Sequence, residues 1–330
     1  MIEDNNVYEI TIIGGGPTGL FATFYAGMRG SSVKLIDTMP KLGGQLCALY
    51  PEKYIYDVAG FTKIKAGELI TRLQEQASRF NPTLCLEERV EKIDKLENGD
   101  FLITTTEGTH LSKTIIITAG IGAFEPRRLE LPNAGQFEQT NLHYFVDDIE
   151  IFRDKKVLIF GGGDSAVDWA LMLKKVTKEL TLIHRRDKFR AHEYSVELLY
   201  KSDINILVPR VISELVGVER IEKVVLADPK TGEAMEELEI DELVVNHGFI
   251  SSLGPISAWG IELENGLINV DTTMKTNIDG VYAAGDIANY LGKIKLITTG
   301  FGEAAIAVSN AKHYVHPEER LQPPRMQSLE

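Results

Sequence analysis

Cysteine is scarce in this chain: its 330 residues hold only Cys47 and Cys85, too few and too far apart for a disulfide scaffold. Both are expected to be free thiols. Positive charge is short as well, with 35 Lys and Arg against 48 Asp and Glu and a net charge of −13. That balance favours solubility and argues against nucleic acid or an anionic membrane as the main partner. No apolar run approaches membrane-spanning length. The opening MIEDNNVYEI is acidic and polar and enters an apolar strand without a positively charged, apolar leader, so a cytoplasmic location is expected. No metal-ligand cluster stands out. The composition left is that of a soluble globular enzyme, and the length is comfortable for two domains.

What the chain does have is one glycine turn written twice. EITIIGGGPTGLFA carries Gly14, Gly16 and Gly19 after an apolar strand, and its next strand, SSVKLI, stops at Asp37. KVLIFGGGDSAVDWA carries Gly161, Gly163 and Ala166, and the position equivalent to Asp37 is His184, followed by Arg185 and Arg186. Such glycines let the backbone turn tightly and approach a pyrophosphate, whose charge meets the amides that open the following helix. An acid at the second strand's end accepts hydrogen bonds from an adenosine ribose, whereas Arg there pairs with a 2′-phosphate. FAD is therefore expected at the first site and NADPH at the second.

Apolar β-branched runs alternate with helical patterns, as a doubly wound parallel sheet requires. Leu20, Phe21, Phe24 and Met28 form the apolar face of the helix after the first turn, with Gly27 and Gly30 expected to close it. Two hairpin-like insertions follow, one turning at Glu107-Gly108 and one around Asp228 to Gly232. Each returns through an apolar strand to a glycine, at Thr118-Ala119-Gly120 and at Asn246-His247-Gly248. The fold class is thus α/β, with two Rossmann-like dinucleotide-binding domains, the second inserted in the first, each carrying a small antiparallel β insertion. The boundaries are 1–119 for the first part of the FAD-binding domain, 120–247 for the NADP-binding domain, and 248–330 for the second part of the FAD domain with its tail. A short strand from Val281 ends in Gly285-Asp286; Asp286 either contacts the flavin's ribitol or phosphate region or caps a helix that follows. The tail from Pro317, with Pro323-Pro324, reads as an ordered arm or a disordered end.

These motifs, with GGQL at Gly43 to Leu46, HRRDKFRA at 184–191 and YAAGD at 282–286, resemble the thioredoxin-reductase-like flavoproteins, and within them the ferredoxin/flavodoxin–NADP reductases. The resemblance covers nearly the whole chain. It implies that Arg185, Arg186 and Arg190 hold the 2′-phosphate and that Gly285 and Asp286 contact FAD. It extends the FAD set to Pro17, Thr18, Gly44, Gln45, Leu46 and Gly120, and the NADP set to Asp164, Ser165 and His184. Tyr50 matches the family's aromatic beside the flavin ring, its alternative being plain core. The C-terminal aromatic or His of that family has Arg325 near its place here. Thr298, Thr299 and Gly300 are expected just before a helix whose amides favour negative charge on a reduced flavin. His247 reads as a packing residue, and a homodimer is implied by the resemblance alone.

Sulfur marks the departure. A thioredoxin reductase of this fold needs a C-x-x-C pair before the second turn, since exchange through a mixed disulfide takes two neighbouring cysteines. Here that stretch is LHYFVDDIEIFRDKK, and GGQLCALYPEK offers Cys47 alone. Cys47 is accordingly read as a packed residue, with no group in the catalytic role and hydride transfer occurring at the flavin. A flavin takes up two electrons and passes them singly, so the expected activity couples NADPH to ferredoxin or flavodoxin. Lys41, Lys53, Lys63 and Lys65 are the candidates for a local basic patch facing such acidic carriers. In related thioredoxin reductases the NADP domain rotates, which would make Gly120 and Gly248 the hinges. The alternatives are an NADPH-dependent reductase of a quinone, oxygen or a low-molecular-weight disulfide, and a non-catalytic FAD/NADPH sensor.

Overall fold

The computed structural model describes residues 2–120, 122–146 and 148–322, so Arg325 and Pro323-Pro324 lie outside the described residues. The chain forms two compact units, Met1–Ala123 with Ser251–Glu330, and Phe124–Ile250. Two strands carry it across, Ala123–Pro126 and Phe249–Ser252, and they pair in a small sheet of their own. The units part at 123/124 and 250/251, a few residues beyond the expected glycines. Gly120 and Gly248 both have positive φ, +62° and +82°.

In the first unit, parallel strands run in the order Thr83–Cys85, Val33–Ile36, Ile2–Ile13 and Gly108–Ile117. Ile10 to Ile13, Val33 to Ile36 and Ile115 to Ile117 are buried, as near-continuous apolar runs in a sheet covered on both faces should be. The long strand Gly108–Ile117 changes partner along its length. Its Thr109 to Ser112 segment pairs antiparallel with Phe101–Thr105, which pairs in turn with Val90–Lys95; its Ile115 to Ile117 segment pairs parallel with Val281–Ala283. One strand thereby serves both the parallel sheet and the antiparallel insertion.

A charged residue sits inside this sheet. Lys34 is 0% exposed, and its Nζ lies 2.8 Å from His110 Nδ1 and 4.3 Å from the centre of the Tyr8 ring. The ammonium donates to Nδ1, so the opposite ring nitrogen, Nε2–H, donates to Glu88 Oε1 at 2.6 Å, which also accepts from Thr105. Burial raises the Glu88 carboxyl, but the hydrogen bonds from Thr105 and His110 more than offset it and hold it below the usual range. The buried ammonium and carboxylate are both hydrogen-bonded, with His110 between them, which is the condition on which such groups are tolerated.

The first helix spans Pro17–Met28. Leu20 and Phe24 are buried in its core face, while Phe21 meets Phe301 of the C-terminal helix Ile297–Val315 with ring centres 5.0 Å apart. Gly27 does not close the helix as expected but lies within it, where a Cβ would come 2.5 Å from Phe80 Cγ. It is there for close approach. Gly30, at φ +74°, makes the exit.

The second unit has a five-stranded parallel sheet in the order Leu142–His143, Glu242–Asn246, Lys156–Gly161, Glu179–Ile183 and Asn205–Leu207. A separate antiparallel sheet of Val211–Val216, Lys223–Ala227 and Ala234–Glu239 packs with it through Leu215, Val224 and Leu226. Its second hairpin turns on Asp228, whose Oδ1 accepts from the amides of Lys230 and Thr231 at 2.7 and 3.0 Å. Among the described residues no helix is long and apolar enough to cross a membrane.

Because the Gly27 site has no room, Gly27→Ala should cost about 1–3 kcal/mol of folding stability through overpacking. A denaturant midpoint unchanged from the parent would contradict this packing account.

Candidate functional site

The three glycines of the first turn serve three different ends. Gly14 has φ +110°, and a Cβ there would lie 2.6 Å from the Thr118 carbonyl oxygen. A Cβ on Gly19 would overlap the Gly14 carbonyl and approach Thr118 Oγ1 to 2.8 Å, so the helix can seat on the strand end only without one. Gly16 faces nothing within 4 Å. That open space lies in front of the amides that begin the Pro17–Met28 helix, the arrangement by which such turns accept a pyrophosphate. Thr118 fastens the turn from the neighbouring strand, its hydroxyl donating to the Gly14 carbonyl at 2.7 Å.

Asp37 stands at the end of its strand, 8% exposed. One carboxylate oxygen accepts from Gly15 N–H and the other from Met39 N–H at 2.7 Å. Burial pushes this carboxyl up, against those two hydrogen bonds. The GGQL segment is brought onto the turn: Gly43 N–H donates to the Gly15 carbonyl at 2.8 Å, and a Cβ on Gly44 would lie 3.1 Å from Gly16 Cα. The short helix Gly44–Leu49 buries Leu46 and sets Gln45 against Gly120, 3.5 Å from where a Cβ would sit there. Tyr50 follows that helix, partly buried. Burial raises its phenol, with the charge of Asp286 adding and that of Lys53 opposing.

Asp286 does not cap a following helix: the chain continues into the strand Ala288–Asn289, and the next helix begins only at Ile297. Nor do Thr298, Thr299 and Gly300 precede that helix; they form its first turn, with Gly300 N–H already bonded to the Leu296 carbonyl. The amides of Thr298 and Thr299, in that first turn, are therefore among the helix's N-terminal donors, while that of Gly300 is already within the helix. Thr298 Oγ1 donates to the Asp57 carbonyl at 3.0 Å. Thr18 joins three segments, since a Cβ on Gly285 would lie 2.9 Å from its Oγ1 and one on Gly300 would overlap it. The first turn, the Gly285-Asp286 turn and the C-terminal helix thus converge on one threonine.

In the second unit a Cβ on Gly161 would meet the Asn246 carbonyl oxygen at 2.6 Å, while Gly163 faces nothing within 4 Å. Ala166 is 0% exposed beneath the helix Asp164–Leu173. Asp164 Oδ1 accepts from His192 N–H at 2.8 Å, and Ser165 is exposed. The basic loop folds back on the turn, Arg190 N–H donating to the Gly162 carbonyl at 2.6 Å. Arg185, Arg186 and Arg190 are all exposed, and among the described residues none of their guanidinium groups makes an ion pair. His184 lies beneath them, buried against Gly162 and stacked on Phe189 with centres 5.7 Å apart. Burial and then the three arginines lower its pKa, which keeps the ring neutral. It supports the loop rather than adding charge. His247 packs edge-on against Phe160, its pKa lowered by burial.

Neither cysteine forms a disulfide. Burial raises the Cys47 thiol, only partly countered by Lys41, so it is a poor nucleophile. Lys65 pairs with Glu52 at 2.6 Å, and Lys53 and Lys63 lie 5.6 and 5.0 Å from the ring centres of Tyr50 and Tyr54. Cys85, Glu88 and His110 bring donor atoms within 4.8 Å of one another, but both His110 nitrogens are engaged in the network around Lys34.

The geometry separates two kinds of glycine. Without any ligand, Gly19→Ala should lose about 1–3 kcal/mol and Gly16→Ala stay within about 0.5 kcal/mol of the parent in chemical denaturation. Equal losses would mean the turn is not built as described.

Residues 8–310 match the family model described as pyridine nucleotide-disulphide oxidoreductase. The chain is 60% identical over 329 residues to ferredoxin--NADP reductase 2 of Bacillus subtilis (strain 168), covering 100% of this chain and 99% of the relative. It is 60% identical over 330 residues to ferredoxin--NADP reductase of Halalkalibacterium halodurans, covering 100% of both. Among solved structures it is similar to Lactococcus lactis thioredoxin reductase in its FR conformation, with a TM-score of 0.78 at 30% identity over 94% of this chain and 99% of that one. The thioredoxin reductase of T. acidophilum gives a TM-score of 0.78 at 26% identity, with the same coverage. The chain therefore belongs to the pyridine nucleotide-disulphide oxidoreductase family, among its thioredoxin-reductase-like flavoproteins, and is an oxidoreductase with FAD and NADP as cofactors.

Proposed function

We propose that this protein moves electrons between NADPH and a ferredoxin or flavodoxin through FAD, as a cytoplasmic homodimer and without a redox-active disulfide. The observation that carries the reading is the state of sulfur beside two nucleotide turns. The chain has two cysteines, not joined to each other, and the one in the GGQL segment has a raised thiol pKa. No dithiol is at hand to take electrons onward to a disulfide. The names of the two relatives at 60% identity, both ferredoxin--NADP reductases, support ferredoxin as the carrier.

Each unit has its part. In the first, the open face of Gly16 and the helix amides beyond it receive the FAD pyrophosphate, and Asp37 takes the ribose hydroxyls. The FAD contacts are completed by Gly14, Pro17, Thr18, Gly19, Gly44, Gln45, Leu46, Gly120, Gly285 and Asp286. Bound FAD supplies the switch from two-electron to one-electron chemistry. Tyr50 would stand beside the flavin ring, and the first-turn amides at Thr298 and Thr299 would favour negative charge at its pyrimidine end. In the second unit, Gly161 and Gly163 admit the NADP pyrophosphate, with Asp164, Ser165 and Ala166 at the helix start. Arg185, Arg186 and Arg190 grip the 2′-phosphate above the neutral His184. Lys53 and Lys63, with exposed Tyr54 and Tyr56, give an acidic carrier a local basic and aromatic surface on a chain of opposite net charge.

Two measurements test this. Replacing Arg185 or Arg186 by Ala should raise the KM for NADPH by about 10- to 100-fold and leave NADH almost unaffected. An equal effect on both nucleotides would remove the 2′-phosphate role. With the parent enzyme loaded with FAD, NADPH should reduce purified ferredoxin or flavodoxin much faster than NADH does, and a thioredoxin disulfide should not turn over. Flavin reduction by NADPH with no carrier accepting electrons would leave the cofactors standing and show the carrier to be wrong.

A further inference from the structure

The turn at Gly285 is held by buried charge. Gly285 N–H donates to Glu303 Oε2 at 2.7 Å, and its carbonyl accepts from Lys293 Nζ at 2.9 Å. Lys293 and Glu303 also pair with each other through Glu303 Oε1, to which the Tyr290 hydroxyl donates at 2.6 Å. The side chains of Lys293 and Glu303 are 6% and 3% exposed. One ion pair thus closes around both polar backbone groups of a single residue. Burial, then the hydrogen bond to Glu303, pushes the Tyr290 hydroxyl up to about 12, so it remains a donor throughout the neutral range.

A buried ion pair is weak support for stability, because removing both charges from water offsets most of their attraction. Its effect here is on conformation. Gly285 has φ +82°, and its Cα lies against Thr18 of the first turn. The C-terminal helix comes close enough for Glu303 to reach the turn because Gly300, one turn earlier, presents no Cβ to Thr18. Ala288 N–H adds a second donor to the Gly285 carbonyl at 3.0 Å. The N–H and the carbonyl of Gly285 are therefore both engaged before any ligand is considered.

We propose that Glu303, with Lys293 as its partner, is a positioning residue that forms the Gly285-Asp286 turn in advance of FAD. It acts through the backbone of the turn and does not itself touch the cofactor. The proposal rests on placing Gly285 and Asp286 at the FAD site, and it is independent of which carrier the enzyme serves.

Hydrogen exchange on the full chain freed of FAD tests it first. The amides of residues 283–290 should exchange about 100-fold or more slowly than in the unfolded chain; exchange at the unprotected rate until FAD is added would overturn the proposal. Titration of the same apoprotein with FAD, followed by flavin fluorescence, gives the second readout. Glu303→Ala should weaken FAD binding by about tenfold or more, while Gly27→Ala, which loosens the same unit elsewhere, stays within about twofold of the parent. Glu303→Gln, whose amide oxygen still accepts from Gly285 N–H, should recover most of the affinity and keeps the test open if the alanine variant does not fold. Parental affinity in Glu303→Ala, or an equal loss in Gly27→Ala, would show the pair to be an ordinary structural link. Neither measurement involves a carrier, so failure of the ferredoxin or flavodoxin assignment and failure of this proposal are separate outcomes.

Discussion

A helix can offer its first amides to a phosphate only if its backbone comes almost into contact with the end of the preceding strand. That approach is the constraint on which the first unit depends. It forbids a Cβ at Gly14 and Gly19, leaves the space before Gly16 open, and brings the Thr118 hydroxyl onto the Gly14 carbonyl. Because the helix is seated so closely, Thr18 reaches the place where Gly285 and Gly300 arrive from the far end of the chain. The second unit meets the same constraint with Gly161 against Asn246 and an open Gly163. What differs between the two is the charge at the end of the next strand, Asp37 in one and the exposed Arg185 and Arg186 in the other.

Much of this was legible in the sequence because the signals are local. A glycine with no tolerated Cβ, an apolar strand and an acid or arginine at a fixed distance all lie within one strand-turn-helix-strand unit, and the double occurrence fixed the α/β class. The hairpin insertions were legible for the same reason, since Asp228 to Gly232 carries its own turn chemistry. Where a residue's partner is remote, the pattern misled. Gly27 looked like a helix end because the ring that excludes its Cβ, Phe80, belongs to another segment. Thr298 and Thr299 looked like residues before a helix, because nothing local shows that Leu296 starts it. Nothing in the local pattern marks Lys34, Lys293 and Glu303 as buried; only the topology that places His110 and Gly285 beside them makes them core. No periodicity in the chain carried that information.

Sulfur links the fold to the function. The fold is shared with thioredoxin reductases, which by name act on thioredoxin, yet this sequence has no pair of neighbouring cysteines for an intramolecular dithiol relay. Cys47 is packed against Gly43 and Ile70, and Cys85 sits next to the Glu88 and His110 network. Both positions are explained by packing and hydrogen bonding alone. On the proposed function, the electrons delivered by NADPH leave the flavin to an acceptor that takes them without forming a bond to protein sulfur.

The most direct test of that claim is a chain without sulfur nucleophiles. The Cys47→Ser, Cys85→Ser double variant, loaded with FAD and mixed rapidly with NADPH and excess ferredoxin or flavodoxin, should reduce the carrier at the parental rate. Loss of carrier reduction with flavin reduction intact would contradict the account and return Cys47 or Cys85 to the path of the electrons.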